Sequence, residues 1–417
     1  MRRAILRGIA LSRDTLETPP MPPPITEPGI RAEPPSGQPA SALREAPDSA
    51  DAPTRRSRGE DFAINGKFAS QRMTGVQRAG YELAAAFARL FPDGARPSLL
   101  LPANAADGLQ FPGTTTRASR LKGFAWEQLG LPFALGGRTL LSLGNIGPLW
   151  TRRQVLMVHD VAVYDLPDNY AWKYRLWYRF AYAILKVRAR HVVTVSEFSK
   201  QRIMARLRIA ASRISVVPNG VDHVGRMACD PRILSRLNLR HDHYVLIVGS
   251  LSAGKNLARV LAAIERIRDG HGWQFVVVGG CDLRVFNAKA KSNPALSGRV
   301  IAAGFVSDGE LKALYEHAGC FLFPSLYEGF GLPPLEAMAC GCPVIVSREA
   351  ALPEVCGDAA LYCDAWSVDD IACKLERMMT DPAMRARLRA RGRARAAGFS
   401  WDRSARRLLE VLERQPG

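Results

Sequence analysis

Twice along the chain, short β-branched runs alternate with longer amphipathic stretches, and that rhythm excludes most folds. The first series starts at Asp61 with FAINGKF, followed by the helical VQRAGYELAAAFARLF, then RTLLSLG and QVLMVHD. It continues through the helical AWKYRLWYRFAYAILKVRA, then HVVTVS, the helical FSKQRIMARL and ISVVPNG. The second series begins after Asp222 and runs YVLIVGS, LARVLAAIERIRD, QFVVVGG, RVIAAGFV, DGELKALYEHA, CFLFPS, LEAMAC and PVIVS. Apolar strands separated by helices are the pattern of parallel sheets covered on both faces. The chain therefore reads as α/β, with two Rossmann-like doubly wound domains over 61–225 and 226–398 joined between Val221 and His243. A last amphipathic stretch, FSWDRSARRLLEVLE, predicts a helix within 399–417 that crosses back to the first domain. Open parallel sheets bind ligands beyond the carboxyl ends of their strands, so two facing domains put the site in a cleft between them.

The 417 residues suffice for two such units. Residues 1–60 stand apart, because TPPMPPPITEPG and EPPSGQPAS cannot bury a core and predict a disordered tail. A formal charge of +18 calls for something anionic: nucleic acid, a membrane surface or a phosphorylated small molecule. The basic residues are dispersed, and no RNA-stacking signature or helix-turn-helix pattern is present, so no nucleic-acid partner is expected. All eight cysteines lie between Cys229 and Cys373 without a C-x-x-C pair. They are expected to be buried small hydrophobes in a reducing compartment, not zinc ligands. No apolar run approaches the roughly 18–20 residues that span a bilayer. The opening MRRAILRGIALSRD is interrupted by Arg7 and lacks a cleavage motif, which argues against a signal peptide. The expectation is a cytoplasmic protein, with peripheral contact at the inner face of the cell membrane left open.

The most informative string is CFLFPSLYEGFGLPPLEAMACGCPVIVS, residues 320–347. A buried strand ends at Pro324-Ser325, a loop Glu328-Gly329-Phe330-Gly331 follows, and Pro333-Pro334 suit the first turn of a helix. That helix carries Glu336 and stops at Gly341. Loop glycines leading into a helix N-terminus make an anion site, because free N–H groups and the positive end of the dipole converge. Carboxylates beside a phosphate pocket repel phosphate but accept hydrogen bonds from sugar hydroxyls, which suits Glu328 and Glu336. Lys255 follows strand YVLIVGS, and Asn256 is placed to cap the next helix. In the first half, Gly75 lies between a strand and a helix, where it allows close backbone approach to a ligand, and His159-Asp160 close the strand QVLMVHD. No D-x-D motif stands out, so neither a metal nor a cofactor is expected.

The 320–347 string resembles the E-x7-E region of family 4 glycosyltransferases of the GT-B fold, and the resemblance covers most of the chain after the tail. It includes INGKFASQRMTGVQRAGYELAAAF (64–87), WEQLGLP (126–132), LLSLGNIGPL (140–149), VHD (158–160), TVSEFSK (194–200) and VVPNGVD (216–222). It continues through VGSLSAGKN (248–256), GFVSDGEL (304–311) and FSW (399–401). The resemblance implies a retaining, metal-independent hexosyltransferase that stabilises charge and positions its reactants. Glu336 would hold the nucleotide ribose, while Glu328 and backbone N–H groups of Gly329, Phe330, Gly331 and Leu332 would hold the sugar and distal phosphate. Lys255 would face the diphosphate, Gly75 the donor or acceptor, Phe305 and Val306 the base, and His159 with Asp160 the transferred sugar or acceptor. Relatives carry an arginine just before this lysine, whereas here the residue is Gly254, which shifts the diphosphate onto Lys255, the loop or Arg78.

QRMTGVQR and LSLGN look most like bacterial mannosyl- or rhamnosyltransferases of surface polysaccharide and lipopolysaccharide synthesis, and GDP-mannose is the favoured donor. The acceptor would be a saccharide or a polyprenyl-linked saccharide. The stretch NYAWKYRLWYRFAYAILKVRAR (169–190) interleaves aromatics with Lys and Arg. It fits either an anionic membrane and lipid-linked acceptor or a domain helix with aromatics in the core. Rival readings are an epimerase or phosphorylase on the same fold, a basic nucleic-acid-binding protein, and a non-catalytic subunit. The retention of Glu328, Glu336, Lys255 and His159 disfavours the last.

Overall fold

The computed structural model describes residues 58–414 except 118, 250–252, 268–271, 281–295 and 297. The predicted tail up to residue 57, and the centre of the VGSLSAGKN motif, lie outside the described residues.

Two wholly parallel sheets form the frame. The first contains β1 (Phe62–Asn65), β2 (Ser98–Leu100), β3 (Thr115–Thr116), β4 (Thr139–Ser142), β5 (Gln154–Met157), β6 (His191–Thr194) and β7 (Ile214–Val216). Its order is β3-β2-β1-β4-β5-β6-β7. The second contains β8 (Tyr244–Val248), β9 (Gln274–Val278), β10 (Val300–Gly304), β11 (Cys320–Phe323), β12 (Val344–Ser347) and β13 (Ala360–Cys363), in the order β10-β9-β8-β11-β12-β13. Each sheet reverses direction of growth between its first and fourth strands, β1/β4 and β8/β11, and such switch points open crevices at the strand ends.

The principal helices are α1 (Gly75–Arg89), α2 (Trp172–Arg188), α3 (Glu197–Leu207), α4 (Leu257–Arg266), α5 (Asp308–His317) and α6 (Leu332–Ala339). They are followed by α7 (Val368–Thr380), α8 (Pro382–Ala397) and α9 (Trp401–Glu413). Strands β1, β5, β6, β11 and β12 are buried at every position, as double-sided helix cover requires. Helix α9 packs on α1, so the C-terminal segment returns to the first sheet. Helix α6 ends as the glycine at 341 suggests: Gly341 N–H donates to Met338 O at 2.9 Å and Cys342 N–H to Ala337 O at 2.8 Å.

Three expectations change. Strand β5 stops at Met157, so His159 and Asp160 stand in the loop beyond it and not on the strand. Asn256 occupies the position before α4 with φ +62° and makes no side-chain cap. Its amide instead donates to Pro324 O and Ala365 O, tying α4 to the strand ends beside it. Among the described cysteines, Cys229 and Cys373 are exposed, and only Cys320, Cys340, Cys342, Cys356 and Cys363 are buried.

Candidate active site

The first cluster forms where the β8/β11 switch point faces the end of β5. Lys255 lies on a short turn after β8, and its Nζ is 2.7 Å from Glu328 Oε1 on the loop after β11. The same oxygen accepts from Ser325 Oγ at 2.6 Å, which fixes the carboxylate from below. The ammonium also stands 4.7 Å above the centre of the Phe323 ring. Gly329 follows, and a Cβ there would come within 2.3 Å of His159 O, so only glycine permits this approach of the two halves. Ser196 Oγ donates to Gly329 O at 2.6 Å, and Ser199 Oγ lies 2.9 Å from His159 O and 3.0 Å from Gly329 O. Both serines come from the TVSEFSK motif, and their bonds hold the E-x7-E loop against the first domain.

Gly331 has φ +101°, a backbone that side chains avoid, and it turns the loop into α6. Pro333 and Pro334 carry no N–H, so the first turn of α6 offers fewer donors than an ordinary helix start. The N–H groups of Phe330, Gly331 and Leu332 find no acceptor among the described residues and remain available to an anion. The side chains of Phe330 and Leu332 are buried, Phe330 edge-on against Phe399, so these residues contribute backbone alone.

His159 is 5 % exposed; its N–H donates to Asn145 Oδ1 at 2.7 Å and its Nε2 lies 3.0 Å from Leu143 O. A carbonyl only accepts, so Nε2 carries the proton. Burial lowers the imidazole pKa, against the raising effect of the Leu143 bond. Asp160 accepts from Ala162 N at 2.9 Å. Burial raises its pKa; the Ala162 bond and Lys255 oppose that, while Glu328 and Asp165 add to it. The site thus holds a neutral imidazole and a carboxyl group displaced toward protonation, facing a paired Lys–Glu.

A second cluster surrounds Glu336. It lines a small cavity of about 40 Å³ with Arg78, Asp308 and Tyr315, and its Oε1 is 3.2 Å from His223 Nε2. Arg78 is ion-paired with Asp308, a bridge between α1 and α5 beside Glu336. Phe305 is 60 % exposed at the end of β10, with the Arg72 guanidinium 3.2 Å from its ring centre; Val306 packs against the core. Gly75 opens α1 with nothing within 4 Å of where a Cβ would stand. At Gly254 a Cβ would meet Asn169 and Leu166 in ordinary contact, so an arginine's longer chain would have to pass them. The structure therefore brings His159, Asp160, Lys255, Glu328 and Gly329 together, and places Glu336 in the small cavity beside Arg78, Asp308 and Tyr315.

A third feature escaped sequence reading. At the β1/β4 switch point a cavity of about 400 Å³ is lined by Asn65, Lys67, Glu127, Asn145, Tyr174 and Tyr178, among others. Glu127 is 1 % exposed, accepts from Asn65 Nδ2 at 3.2 Å and pairs with Lys67 Nζ at 2.5 Å. Tyr170, Tyr174, Tyr178 and Tyr182 follow one face of α2 and its approach, in contact ring to ring at 5.4, 4.4 and 5.7 Å. The opposite face exposes Trp172, Leu176 and Phe180. The i, i+4 spacing of both stripes was visible in the sequence; the cavity was not, because its residues are spread over more than a hundred positions.

Two family models match the chain: Glycosyltransferase Family 4 over residues 132–224 and Glycosyl transferases group 1 over 234–395. O-antigen chain mannosyltransferase B of Escherichia coli is 33 % identical over 268 residues, covering 60 % of this chain and 67 % of that one. The GDP-mannose-dependent alpha-(1-6)-phosphatidylinositol dimannoside mannosyltransferase of Mycobacterium tuberculosis is 30 % identical over 285 residues, covering 66 % and 71 %. Among solved structures, sucrose-phosphate synthase of Thermosynechococcus elongatus superposes with a TM-score of 0.66 at 20 % identity, covering 84 % of this chain and 97 % of that one. At that identity the likeness speaks for the fold alone.

Proposed function

Because the chain belongs to the family 4 (group 1) glycosyltransferases, we propose that it transfers mannose from GDP-mannose to a saccharide acceptor. The acceptor is free or carried on a polyprenyl lipid, the configuration is retained, and no metal ion is required. The observation that carries this reading is the Lys255–Glu328 pair. It places a cation and a hydroxyl acceptor side by side at a switch point, against the unpaired loop N–H groups and His159. Two relatives named for mannose transfer, one of them for GDP-mannose, support the choice of sugar and donor.

In this reading Glu336 accepts from the ribose hydroxyls, and the β-phosphate rests on the N–H groups of Phe330, Gly331 and Leu332. Glu328 and His159 hold the mannosyl hydroxyls. When the bond from C1 to the diphosphate oxygen breaks, Lys255 and the loop meet the growing negative charge, doing the work a divalent ion does elsewhere. The acceptor hydroxyl attacks from the same face and gives its proton to the departing phosphate. Glu328 and Glu336 are not a glycosidase pair, since glycosidic hydrolysis needs its two carboxyl groups flanking the scissile bond at a fixed separation. The acceptor glycan occupies the cavity at β1/β4, where Glu127 and Asn65 accept or donate to hydroxyls and Tyr174 and Tyr178 offer flat faces.

The outward stripe of α2 fits an anionic bilayer. Trp172, Leu176 and Phe180 are more than half exposed, and Lys173, Arg175 and Arg179 lie among them. Peripheral contact would bring a lipid-linked acceptor to the cavity on the other face of the same helix. No described helix is long and apolar enough to cross a membrane.

The test is a thermal-shift panel on the full chain with GDP, UDP, dTDP and ADP, with and without chelator, followed by transfer assays from GDP-mannose. Stabilisation by GDP that survives chelation, and an α-linked product, are expected. Stabilisation by another nucleotide alone would replace the donor, and a requirement for metal would remove the proposed role of Lys255.

A further inference from the structure

The orientation of Glu336 is set from outside the cleft. Trp401 Nε1 lies 3.0 Å from His223 Nδ1, and an indole N–H can only donate. His223 Nδ1 is therefore the acceptor, the ring proton sits on Nε2, and that N–H donates to Glu336 Oε1 at 3.2 Å. His223 is 1 % exposed and Trp401 fully buried, so water does not compete for either bond. With the opposite tautomer the imidazole lone pair would face the carboxylate and turn it away.

The relay is anchored at its far end. Trp401 N–H donates to Asp222 Oδ1 at 2.7 Å, and Asp222 Oδ2 accepts from Arg226 Nη1 at 3.0 Å. Arg226 Nη2 reaches Glu82 of α1 at 2.5 Å. Gly220 makes room for this: a Cβ there would stand 2.2 Å from Trp401 N. The segment joining the two sheets, the returning helix α9 and helix α1 thus converge behind one carboxylate.

We infer that His223 and Trp401 are positioning residues for nucleotide recognition. They hold Glu336 in the one orientation that presents its carboxylate to the two adjacent hydroxyls of a ribose. The inference rests on the reading of Glu336 as the ribose contact. A carboxylate free to rotate still binds hydroxyls, but it surrenders part of its preference for a vicinal pair.

The experiment compares a ribonucleoside diphosphate with its 2′,3′-dideoxy form, using whichever of GDP, UDP and ADP most stabilises the wild-type chain. Dissociation constants are measured for wild type, Glu336→Gln, His223→Leu, His223→Gln and Trp401→Phe. Wild type should favour the ribose form about tenfold, the scale of one hydrogen bond to a charged group. Glu336→Gln and His223→Leu should both lose most of that ratio. Trp401→Phe, which keeps the packing and removes one donor, should lose part, and His223→Gln, which keeps an N–H donor, should regain part. In turnover, the donor KM should rise while kcat changes little. A merely structural role would weaken both nucleotides equally and leave the ratio intact, and that result in His223→Leu and Trp401→Phe overturns the inference. If His223→Leu does not fold, Trp401→Phe alone decides. If Glu336→Gln also keeps the wild-type ratio, the ribose reading itself falls, and the relay with it.

Discussion

The two switch points solve one problem in opposite ways. At β8/β11 most of the chemistry comes from Lys255 and from a single string, residues 325–336, which meets His159 and Asp160 of the first domain. At β1/β4 the cavity draws Asn65 and Lys67 from one strand end, Glu127 from a helical turn, Asn145 from another strand end, and Tyr174 and Tyr178 from α2. The path of the donor-side loop is shaped locally, by two prolines, a left-handed Gly331 and a Ser325 bonded to Glu328, while Ser196 and Ser199 clamp it and His223 orients Glu336 from outside the string. The other cavity exists only after the sheet has formed. A site of the first kind tolerates drift elsewhere in the chain, whereas a site of the second kind can be re-cut by changing one loop. That contrast suits an enzyme with a shared donor and a variable acceptor.

Removing the donor-side cation should break the comparison most sharply. Lys255→Ala is expected to lower kcat by about 10²–10³, the scale of losing one preorganised charge partner in a transition state, while leaving acceptor KM within a few-fold. Steady-state kinetics with each substrate varied in turn would check this. An equal loss in acceptor KM would mean that the two switch points do not act separately.

Glu127→Gln should act on the other side. It removes the charge opposite Lys67 but keeps an acceptor for Asn65. An acceptor KM increase of about tenfold is expected with donor KM unchanged. The same change should lower stability by about 1–3 kcal/mol, because Lys67 is left beside a neutral group. Denaturant melts run alongside the kinetics separate the two effects. Unchanged acceptor kinetics in a folded variant would move the acceptor out of this cavity.

The same contrast explains what could be read in advance. The parallel sheets, their order of use and the 320–347 loop were legible because apolar runs buried on both faces leave a strong, local signal. Strands β2 and β3, only SLL and TT, carry no such signal and were missed. Strand β13 and helix α7 were missed as well, since three of four β13 positions are half-buried. Ser196 and Ser199 lay inside a recognised motif, but their function as donors to Gly329 O depends on how closely the halves approach. Glu354 is similar: it accepts from Glu197 N and Phe198 N at 2.9 and 3.1 Å, capping α3 from the opposite domain. No periodicity announces a cap supplied from more than 150 residues away.

The outward face of α2 offers a smaller effect. Trp172→Ser combined with Phe180→Ser should reduce sedimentation with vesicles containing anionic lipid several-fold, and should leave transfer to a water-soluble acceptor unchanged. The tyrosine face is about 200° away around the helix, so the cavity should be undisturbed. Equal binding of the double variant would detach the membrane from this helix.

The smallest expected effect concerns acid. Both histidines with lowered pKa lie in the first domain, His191 at the start of β6 and His159 in the loop after β5. His191 is pushed down to about 4, first by burial and then by the neighbouring Arg213, and its Nε2 meets Ser215 Oγ at 2.9 Å. In the unfolded chain it titrates near 6.5. A folded pKa below the unfolded one means that the unfolded state takes up the proton first. The contribution is therefore complete above about pH 6.5 and is lost as pH falls towards 4. Asp160 and Glu354 work with the opposite sign, since burial raises both and their contribution fades as pH rises. The total pH profile mixes these terms, but the difference between wild type and His191→Gln isolates one. Melting temperatures at pH 7, 6, 5 and 4 should converge as pH falls, with the variant starting lower and showing the shallower slope. Parallel curves would mean that His191 takes up its proton equally in both states, leaving no acid-sensitive contribution from this residue.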